Sequence, residues 1–460
     1  MESTTKMQQF IPKPFPEESL EEGVERILRT MRFLSDSGVV SMNDLVLPGA
    51  SRHLVVRSRD GALVAKSYAD AVRWRAERDN LEKFAYIVDS RSAIFREVTQ
   101  SDLPYIQLPT MHESIVDRLS SFDLITGDLL YDKILNGTAT FDDFVLAAVQ
   151  VARIQQEGKI NRAYLGLEDV VRRQQGEQNY FIQRFEEVFR RQLMHHAEIS
   201  IPDNTLEEMR RDWDVLVAQN LTKAQYAGHN GYYFDGNPRH HILTADGSVV
   251  SFDFEDKIII PSLLGIASLL SFGLTNKQGR PYLNKEQQYQ ILDRVALELE
   301  FVEALREGAR DRAERIFRYV KERYESGVHN LTEGDSNEFF RFMGGYNDRE
   351  RGSTYRDDFL AGWPYALLDR STAWLGHKAR YRAITPLLEE KGIRFQIDDP
   401  IRQYAAEQRQ HIATILGVLE ELRDTSTRNG RQTQDAAYRL HNRFNEICTN
   451  PHNEAYFSPK

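Results

Sequence analysis

Cysteine is almost absent from this chain, which has one among its 460 residues. A single thiol, Cys448, cannot form a disulfide framework within one chain or a zinc site built from cysteines. Basic runs are lacking too, since 59 Lys and Arg face 69 Asp and Glu, for a net charge of −10. Because phosphate neutralisation supplies most of the affinity of sequence-independent nucleic-acid binding, we expect no nucleic-acid partner.

Uninterrupted apolar runs are also missing. The N-terminal segment MESTTKMQQF lacks the apolar core of a signal peptide. The longest apolar stretch, residues 258–274, is broken by Pro261 and Gly265 and by three serines. These absences predict a soluble cytoplasmic protein without a membrane partner, and they leave the oligomeric state open.

The pattern along the chain changes at Gly127. With 41% hydrophobic residues the chain can bury a sizeable core. A sheet-rich part precedes Gly127 and a helix-rich part follows it, which predicts an α+β fold. The predicted regions are an N-terminal arm and helix at 1–40, a β-rich lobe at 41–127 and a helical lobe at 128–460.

Residues 42–68 alternate strand-like runs with turn signals, which predicts a three-stranded meander. Its turns are a Pro-Gly pair at 48–49 and an Asp-Gly pair at 60–61. The small residues of the first turn, Ser51 among them, allow backbone amides to approach a phosphate. Tight turns of this composition are common, so the signal is weak.

Lys66 lies inside the third run of the meander, among apolar neighbours. Such a lysine either meets an anion or extends its ammonium outward to solvent. A helix is predicted at 70–88, on which Glu77 shares a face with Leu81. Glu77 is then either the ionic partner of Lys66 or a partly exposed surface acid. Strand-like runs are predicted again at 94–126.

The stretch 226–256 places Asp235 and Asp253 at the ends of two short apolar runs. It predicts a polar loop and then a β-hairpin, with the Asp-Gly pair at 246–247 as a two-residue turn. A hairpin of this length brings its outer ends together, where two acids suit a base and a magnesium ligand. The alternative is that one aspartate caps a turn and the other ends an exposed strand. A buried helix that starts near Pro261 is predicted within 258–274.

These features, in this order, resemble the protein-kinase-like superfamily and, within it, the aminoglycoside phosphotransferase and choline kinase branch. The order of elements matches over 45–381, but only 233–256 is motif-specific. In that branch the catalytic loop reads His-Gly-Asp-x-x-x-x-Asn, followed by a hairpin and Ile-Asp-Phe/Trp-Glu. Here YFDGNPRH at 233–240 and FDFE at 252–255 stand at those positions. The resemblance implies two lobes, with the catalytic loop 229–256 in a helical C-lobe that also forms the acceptor region.

The resemblance also implies ATP and Mg²⁺ as cofactors and gives roles to individual residues. Asp235 would accept the proton of an attacking hydroxyl, and Asp253 would hold the magnesium ion. The residues implied at the nucleotide are Lys66 on the phosphates, Glu77 holding Lys66, Ser51 in the first turn, and the backbone near Asp123 and Ile125 beside the adenine.

The chain departs from the family pattern at the metal-binding Asn, where it has His240. Magnesium prefers oxygen ligands, so an imidazole is a poorer partner. Asn237 is an alternative source of an amide oxygen, and Asp253 with water is another. The family's helical Asp-Leu-Ala appears as Gly-Ile-Ala at 265–267.

The resemblance therefore implies an ATP-dependent phosphotransferase that acts on a hydroxyl of a small molecule. Two alternatives stay open. One is a protein kinase or other protein-modifying enzyme, with the charged helices at 158–224 as a docking surface. The other is a catalytically silent kinase-like binding protein, which the departure at His240 suggests.

Overall fold

The computed structural model has an α+β architecture in which helices predominate over small, mostly antiparallel sheets. No helix among the described residues combines the length and apolar character needed to cross a membrane. The structure describes residues 19–38, 46–47, 54–57, 63–68, 71–112, 118–169, 179–226, 230–271, 282–324, 355–395, 399–424 and 430–457. The first predicted turn, with Ser51, and the second predicted turn at 60–61 lie outside these ranges.

The strands are β1 (Val46–Leu47), β2 (Leu54–Arg57), β3 (Leu63–Ser67), β4 (Met111–His112), β5 (Leu119–Asp123), β6 (Asp128–Leu129), β7 (Glu168–Asp169), β8 (Asn230–Tyr232), β9 (His241–Leu243), β10 (Val249–Ser251), β11 (Ile258–Pro261) and β12 (Arg394–Phe395). The largest sheet is antiparallel with the order β2-β3-β5-β4, and it places Lys66 between Val55 and Ser120. Two three-stranded sheets have the orders β10-β9-β6 and β7-β11-β8.

The helices are α1 (Leu20–Asp36), α2 (Ala71–Thr99), α3 (Leu130–Asn136), α4 (Phe141–Ile160), α5 (Arg162–Leu165), α6 (Tyr180–Glu186), α7 (Asp203–Trp213), α8 (Gln219–Tyr226), α9 (Leu263–Leu270), α10 (Lys285–Glu307), α11 (Arg310–Tyr324), α12 (Tyr355–Glu390), α13 (Pro400–Asp424), α14 (Arg431–Thr449) and α15 (Glu454–Phe457). Two π-helical segments, Glu187–His196 and Asp214–Ala218, follow α6 and α7, and a 3₁₀ turn spans Pro238–His240.

Local sequence signals explain where several helices begin. The hydroxyls of Ser19 and Thr140 accept hydrogen bonds from the backbone N–H groups of Glu22 and Asp143, three residues later. In return, the side-chain carboxylates of Glu22 and Asp143 accept hydrogen bonds from the backbone N–H groups of Ser19 and Thr140. These capping boxes satisfy N–H groups that would otherwise lack partners at the helix N-terminus. The same device, with Asn, begins α10.

Three predicted elements differ from the structure. Helix α2 continues to Thr99, so the strand prediction was wrong over its first residues, because Phe95 and Val98 keep facing the core. Residues 258–261, the first part of the stretch predicted as a buried helix, form β11 because they pair with β8 and β7, and the helix itself begins at Leu263, close to its predicted start near Pro261. The first predicted meander strand, β1, pairs in parallel with β12.

The predicted hairpin is present, but its turn has three residues rather than two. β9 and β10 pair with Leu243 opposite Val249, and Thr244 N–H donates to the Ser248 carbonyl at 3.0 Å. Gly247 has a φ of +82° and closes the turn by donating to the Thr244 carbonyl. A left-handed third residue is typical of three-residue hairpin loops.

The buried apolar residues form two clusters. The larger spans the helical part of the chain and includes the hairpin residues Leu243 and Val249. The smaller joins α1, the largest sheet and the last turns of α12 through residues such as Ile27, Ala65 and Ile384. Helix α12 therefore contributes to both clusters. The division into lobes at Gly127 stays a prediction.

Candidate functional site

Lys66 and Glu77 form the buried ion pair that their positions on strand and helix predict. The Lys66 Nζ atom lies 2.7 Å from Oε2 of Glu77, and the two residues are 6% and 1% exposed. The alternatives of an outward lysine and a surface glutamate are thereby excluded. Burial opposes the charge of Lys66, but Asp253 and Glu77 outweigh it and hold the pKa of the ammonium well above its usual value.

Glu77 also fixes the backbone at the second predicted aspartate. While its Oε2 faces Lys66, its Oε1 accepts hydrogen bonds from the backbone N–H groups of Asp253 and Phe254, each at 3.1 Å. The φ of Asp253 is +83°, a conformation that residues other than glycine rarely adopt and that costs about 1–3 kcal/mol. The side chain of Glu77 thus holds a strained backbone segment in place.

The carboxylate of Asp253 is shared between two basic side chains. Its Oδ1 lies 2.5 Å from Lys66 Nζ, and its Oδ2 lies 3.4 Å from Nε2 of His240. Burial favours the neutral acid, but Lys66 outweighs it and holds the pKa of Asp253 below its usual value. Asp253 is therefore ionised at neutral pH, as a metal ligand must be.

Asp235 follows the buried Phe234, and its loop packs tightly on α9. An ideal Cβ at Gly236 would lie 2.2 Å from the carbonyl oxygen of Gly265, so only glycine fits between loop and helix. The Oδ1 atom of Asp235 is buried. Burial and the nearby charge of Asp253 raise the pKa of Asp235, against the opposing effects of His240 and of hydrogen bonds from the Ser268 hydroxyl and the Asn237 backbone N–H.

The imidazole of His240 joins the two aspartates. Its Nδ1 lies 3.0 Å from the backbone carbonyl oxygen of Asp235, and its Nε2 faces Asp253. The predicted convergence of the outer hairpin ends is thus present, with a histidine between them. The alternative for Asp253, the end of an exposed strand, is wrong, because its carboxylate pairs with Lys66. The side chain of Asp235 does bond within its own turn, through the backbone N–H of Asn237.

The other predicted residues lie outside this cluster. Oδ1 of Asn237 accepts a hydrogen bond from the backbone N–H of Arg239 at 2.9 Å and so caps its own 3₁₀ turn. The exposed carboxylate of Asp123 lies 2.6 Å from Nε2 of His112, and Ile125 is half-buried in the connection to β6. No contact given for the described residues joins Asp123 or Ile125 to Lys66 or Asp253.

Sequence reasoning missed several residues that support the cluster. The hydroxyl of Tyr68 donates to Glu77 at 2.6 Å, and Asn80 Nδ2 donates to the carbonyl oxygen of Phe254 at 2.6 Å. The spacing in the sequence could have identified both residues. Tyr68 is two residues after Lys66 and so shares its face of the strand, and Asn80 is one helical turn after Glu77 and so shares its face of the helix. The hydrogen bond from Arg370 to the hydroxyl of Tyr233, 3.0 Å long, joins the loop at 233–240 to α12, and no spacing in the sequence pointed to it.

The carboxylates of Glu77, Asp253 and Glu255 lie close enough together to hold a metal ion. The ammonium of Lys66 already occupies that place, at 2.7, 2.5 and 4.0 Å from the three groups. Arg73 also pairs with Glu255. The negative charge of these three carboxylates is therefore largely neutralised by Lys66 and Arg73.

Magnesium fits the remaining donors only in part. Oδ2 of Asp253 is a suitable oxygen ligand, but the neighbouring donor is the nitrogen of His240 and not an amide oxygen. Lys66 is well placed for phosphate groups, since it is a buried ammonium beside the same carboxylate.

A cavity of about 240 Å³ lies between helices of the C-terminal part of the chain. Its lining includes Phe144, Leu269 and Tyr282 and none of the predicted site residues. Leu269 also lies against the loop at 233–240, since its Cβ would be 3.3 Å from a Cβ built at Gly236. The cavity and the charged cluster are thus on neighbouring elements but have no lining residue in common.

No protein-family model and no curated protein matches this chain. Among solved structures the chain is similar to the crystal structure of an aminoglycoside phosphotransferase from Alicyclobacillus acidocaldarius subsp. acidocaldarius DSM 446. The identity is 13%, and the alignment covers 81% of this chain and 90% of that chain with a TM-score of 0.28. A TM-score this low does not establish a shared fold.

Proposed function

We propose that this protein is an ATP-dependent phosphotransferase that transfers the γ-phosphoryl group to a hydroxyl of a small molecule, on a two-lobed kinase-like architecture. One observation carries the proposal, namely the continuous contact series from Glu77 through Lys66, Asp253 and His240 to the backbone of Asp235. The series joins a buried ammonium and an ionised carboxylate to the backbone of the loop that carries the second carboxylate, Asp235. Phosphoryl transfer needs alignment and charge neutralisation more than covalent chemistry, and this arrangement supplies both.

Each group has a distinct part in the proposed reaction. The ammonium of Lys66 neutralises phosphate oxygens, and Glu77 keeps it in position. The carboxylate of Asp235 accepts the hydrogen of the attacking hydroxyl, and the raised pKa of this carboxyl strengthens it as a base. Asp253 and His240 would hold a divalent cation, which when bound neutralises charge on the transferring phosphoryl group.

The first experiment tests turnover and the role of Asp235. Full-length protein is incubated with ATP, a divalent cation and a panel of hydroxyl compounds, and ADP release and phosphorylated products are measured. We expect Asp235→Asn to lower kcat about 10²–10⁴-fold with little change in the KM for ATP, because a general base is lost but the phosphate contacts remain. Asp89→Asn, an exposed change on α2, is the matched control and should retain full activity.

Two results would contradict this proposal. Full activity of the Asp235→Asn variant, with unchanged thermal stability, would show that Asp235 is not the base. If the wild-type protein showed neither turnover nor nucleotide binding, the proposed phosphotransferase activity would be wrong. Transfer of radiolabel from ATP to protein rather than to a small molecule would favour the protein-modifying alternative.

A catalytically silent nucleotide-binding protein is the second candidate. The observation that favours it is that both oxygens of the Asp253 carboxylate already face basic side chains, Lys66 and His240. Such a protein would be stabilised by ATP, since a ligand that binds only the folded state raises stability, but would show no turnover with any acceptor. Thermal-shift titration with ATP beside the turnover assay separates the two candidates.

A further inference from the structure

Two buried arginines share one carboxylate beside the loop at 233–240. Oδ2 of Asp369 accepts hydrogen bonds from Nε and Nη2 of Arg370, at 3.0 and 2.9 Å, and a further bond from Nη1 of Arg184. Asp369 is fully buried, and each arginine is 5% exposed. With Asp369 ionised, the group holds two positive charges and one negative charge. A buried charge without a counter-ion is costly, so the group favours a further anion nearby.

One of these arginines joins the group to the loop. Arg370 uses Nη1 to donate a hydrogen bond to the hydroxyl oxygen of Tyr233. Arginine has no acceptor, so the hydroxyl hydrogen of Tyr233 must point elsewhere. Within the described part of the chain, this hydrogen has no acceptor at hydrogen-bond distance. The half-buried Tyr233 therefore offers a donor that a bound molecule can use.

This donor lies close to the proposed base. Asp235 is two residues after Tyr233, and of the charged groups around the Tyr233 hydroxyl it raises the pKa most, second only to burial. The hydroxyl therefore keeps its hydrogen at neutral pH. Asp256 is another carboxyl within electrostatic reach. In the contacts of the described residues, neither carboxyl pairs with Arg184 or Arg370, whose shared partner is Asp369.

The same side of α12 carries more positive charge. His377 is half-buried and lies two helical turns beyond the arginine that contacts the loop. Burial and the nearby charges of Arg380, Lys378 and Arg184 lower the pKa of His377 to about 3. This effect remains although the ammonium of Lys378 is already paired with Glu407. The surroundings of His377 thus favour an anion over a cation.

We propose that Tyr233 binds the phosphoryl acceptor and that this acceptor carries an anionic oxygen, from a carboxylate or a phosphate group, near the hydroxyl that is phosphorylated. The Tyr233 hydroxyl donates to that oxygen, and the excess positive charge of Arg184 and Arg370 balances it. A hydrogen bond to an ionised oxygen is about twice as strong as a neutral one. The inference rests on the proposed function for the reaction and adds the chemical class of the acceptor.

The test compares hydroxyl compounds that share a skeleton and differ in charge. For one hexose these are glucuronate and glucose 6-phosphate, which separate the two kinds of anion, with glucose as the neutral form and glucosamine as the cationic form. Full-length protein is assayed for kcat and KM with Mg²⁺ and ATP. Stabilisation against thermal unfolding in the presence of ADP measures binding without turnover. We expect the anionic form of a skeleton to bind best and to have a KM about tenfold or more below that of the neutral form.

Two variants test the residues. We expect Tyr233→Phe to raise the KM of the anionic acceptor about tenfold or more, because a hydrogen bond to a charged group is lost, with little change in kcat or in the KM for ATP. Arg370→Met removes the excess cation and leaves Asp369 paired with Arg184, and it should also reduce the preference for anions. Tyr86→Phe, at a tyrosine that is 68% exposed, is the matched control and should behave as wild type.

Three results would overturn the inference. One is a wild-type preference for neutral or cationic compounds. Another is a fall in kcat for every acceptor in Tyr233→Phe, which would show that the tyrosine only positions the loop. The third is that no anionic compound stabilises the protein. Anionic compounds that bind without being phosphorylated would leave the acceptor site standing and remove the proposed function, whereas phosphorylation of a neutral or cationic compound would do the reverse.

Discussion

Asp256 lies close to other carboxylates of the candidate site. Its carboxyl group is partly buried and lies within electrostatic reach of Glu255, Asp253 and Asp235, with Arg73 opposing them. Burial and the neighbouring charges raise the pKa of Asp256 to about 7. The ionised form of this residue is therefore unfavourable in the folded protein.

The raised pKa predicts a pH dependence of stability. Between about pH 4 and pH 7 the folded state binds more protons at Asp256 than the unfolded state does, so its contribution to stability falls as pH rises through that window. We expect Asp256→Asn to remove this loss. The variant should gain about 2–4 kcal/mol of unfolding free energy relative to wild type between pH 4 and pH 8, at about 1.36 kcal/mol per pKa unit.

Urea unfolding at several pH values measures this difference, with Asp89→Asn as the exposed control. A wild-type and Asp256→Asn pair whose stabilities differ by the same amount at every pH would show that Asp256 ionises normally in the folded protein.

At the scale of elements, the loop at 233–240 and α9 contact each other through glycines. A Cβ built at Gly236 would lie 2.2 Å from the carbonyl oxygen of Gly265. A Cβ built at Gly265 would lie 2.6 Å from the carbonyl oxygen of Phe234. Both obstacles are backbone atoms, which cannot rotate away as a side chain can. The position of Asp235 thus depends on how closely its loop approaches α9.

We therefore expect Gly236→Ala to shift the loop. The variant should lose about 1–3 kcal/mol of stability through overpacking and about 10²-fold in phosphoryl transfer, because Asp235 is displaced. Gly417→Ala in α13 is the matched control, since a Cβ there meets no atom within 4 Å. That change should stabilise the protein by about 0.5–1 kcal/mol, because alanine loses less entropy in a helix. Unfolding in urea and the turnover assay check both variants.

If Gly236→Ala retained both its stability and its turnover, the close approach of loop and helix would not be needed to place Asp235. A fall in stability with normal turnover would separate the packing of the loop from its chemistry.

At the scale of the whole molecule, Glu77 joins three distant parts of the chain. It binds Lys66 of the largest sheet, lies on α2 and accepts the backbone N–H groups of Asp253 and Phe254 beyond the hairpin. Residues 66 and 253 are 187 positions apart in the sequence. Glu77 therefore adds to the direct contact between Lys66 and Asp253 in fixing the sheet relative to the segment after the hairpin.

This position predicts a large effect for Glu77→Gln. Removing one charge of a buried ion pair costs about 3–5 kcal/mol, and we expect a loss of that order together with at least a tenfold weaker affinity for ADP. Glu82→Gln, on the exposed face of the same helix, should change stability by less than about 0.5 kcal/mol. Urea unfolding and calorimetric titration with ADP measure the two quantities. Wild-type affinity in the Glu77→Gln variant would show that Lys66 keeps its place without this partner.

The local pattern of the chain determined the order of its elements and the candidates for its charged site. Alternation placed Lys66 on a strand, helical spacing placed Glu77 on a buried face, and the turn signal between Asp235 and Asp253 predicted that they converge. These features depend on neighbours within a few residues, where periodicity reports the environment directly.

Only the tertiary structure decided how those groups meet. The double contact of Glu77, the left-handed backbone of Asp253, the orientation of His240 between the two aspartates and the extension of α2 to Thr99 all depend on atoms far away in the sequence. A local pattern cannot encode which of several buried acceptors a side chain finds. That choice is made when distant segments pack and most buried polar groups find a partner.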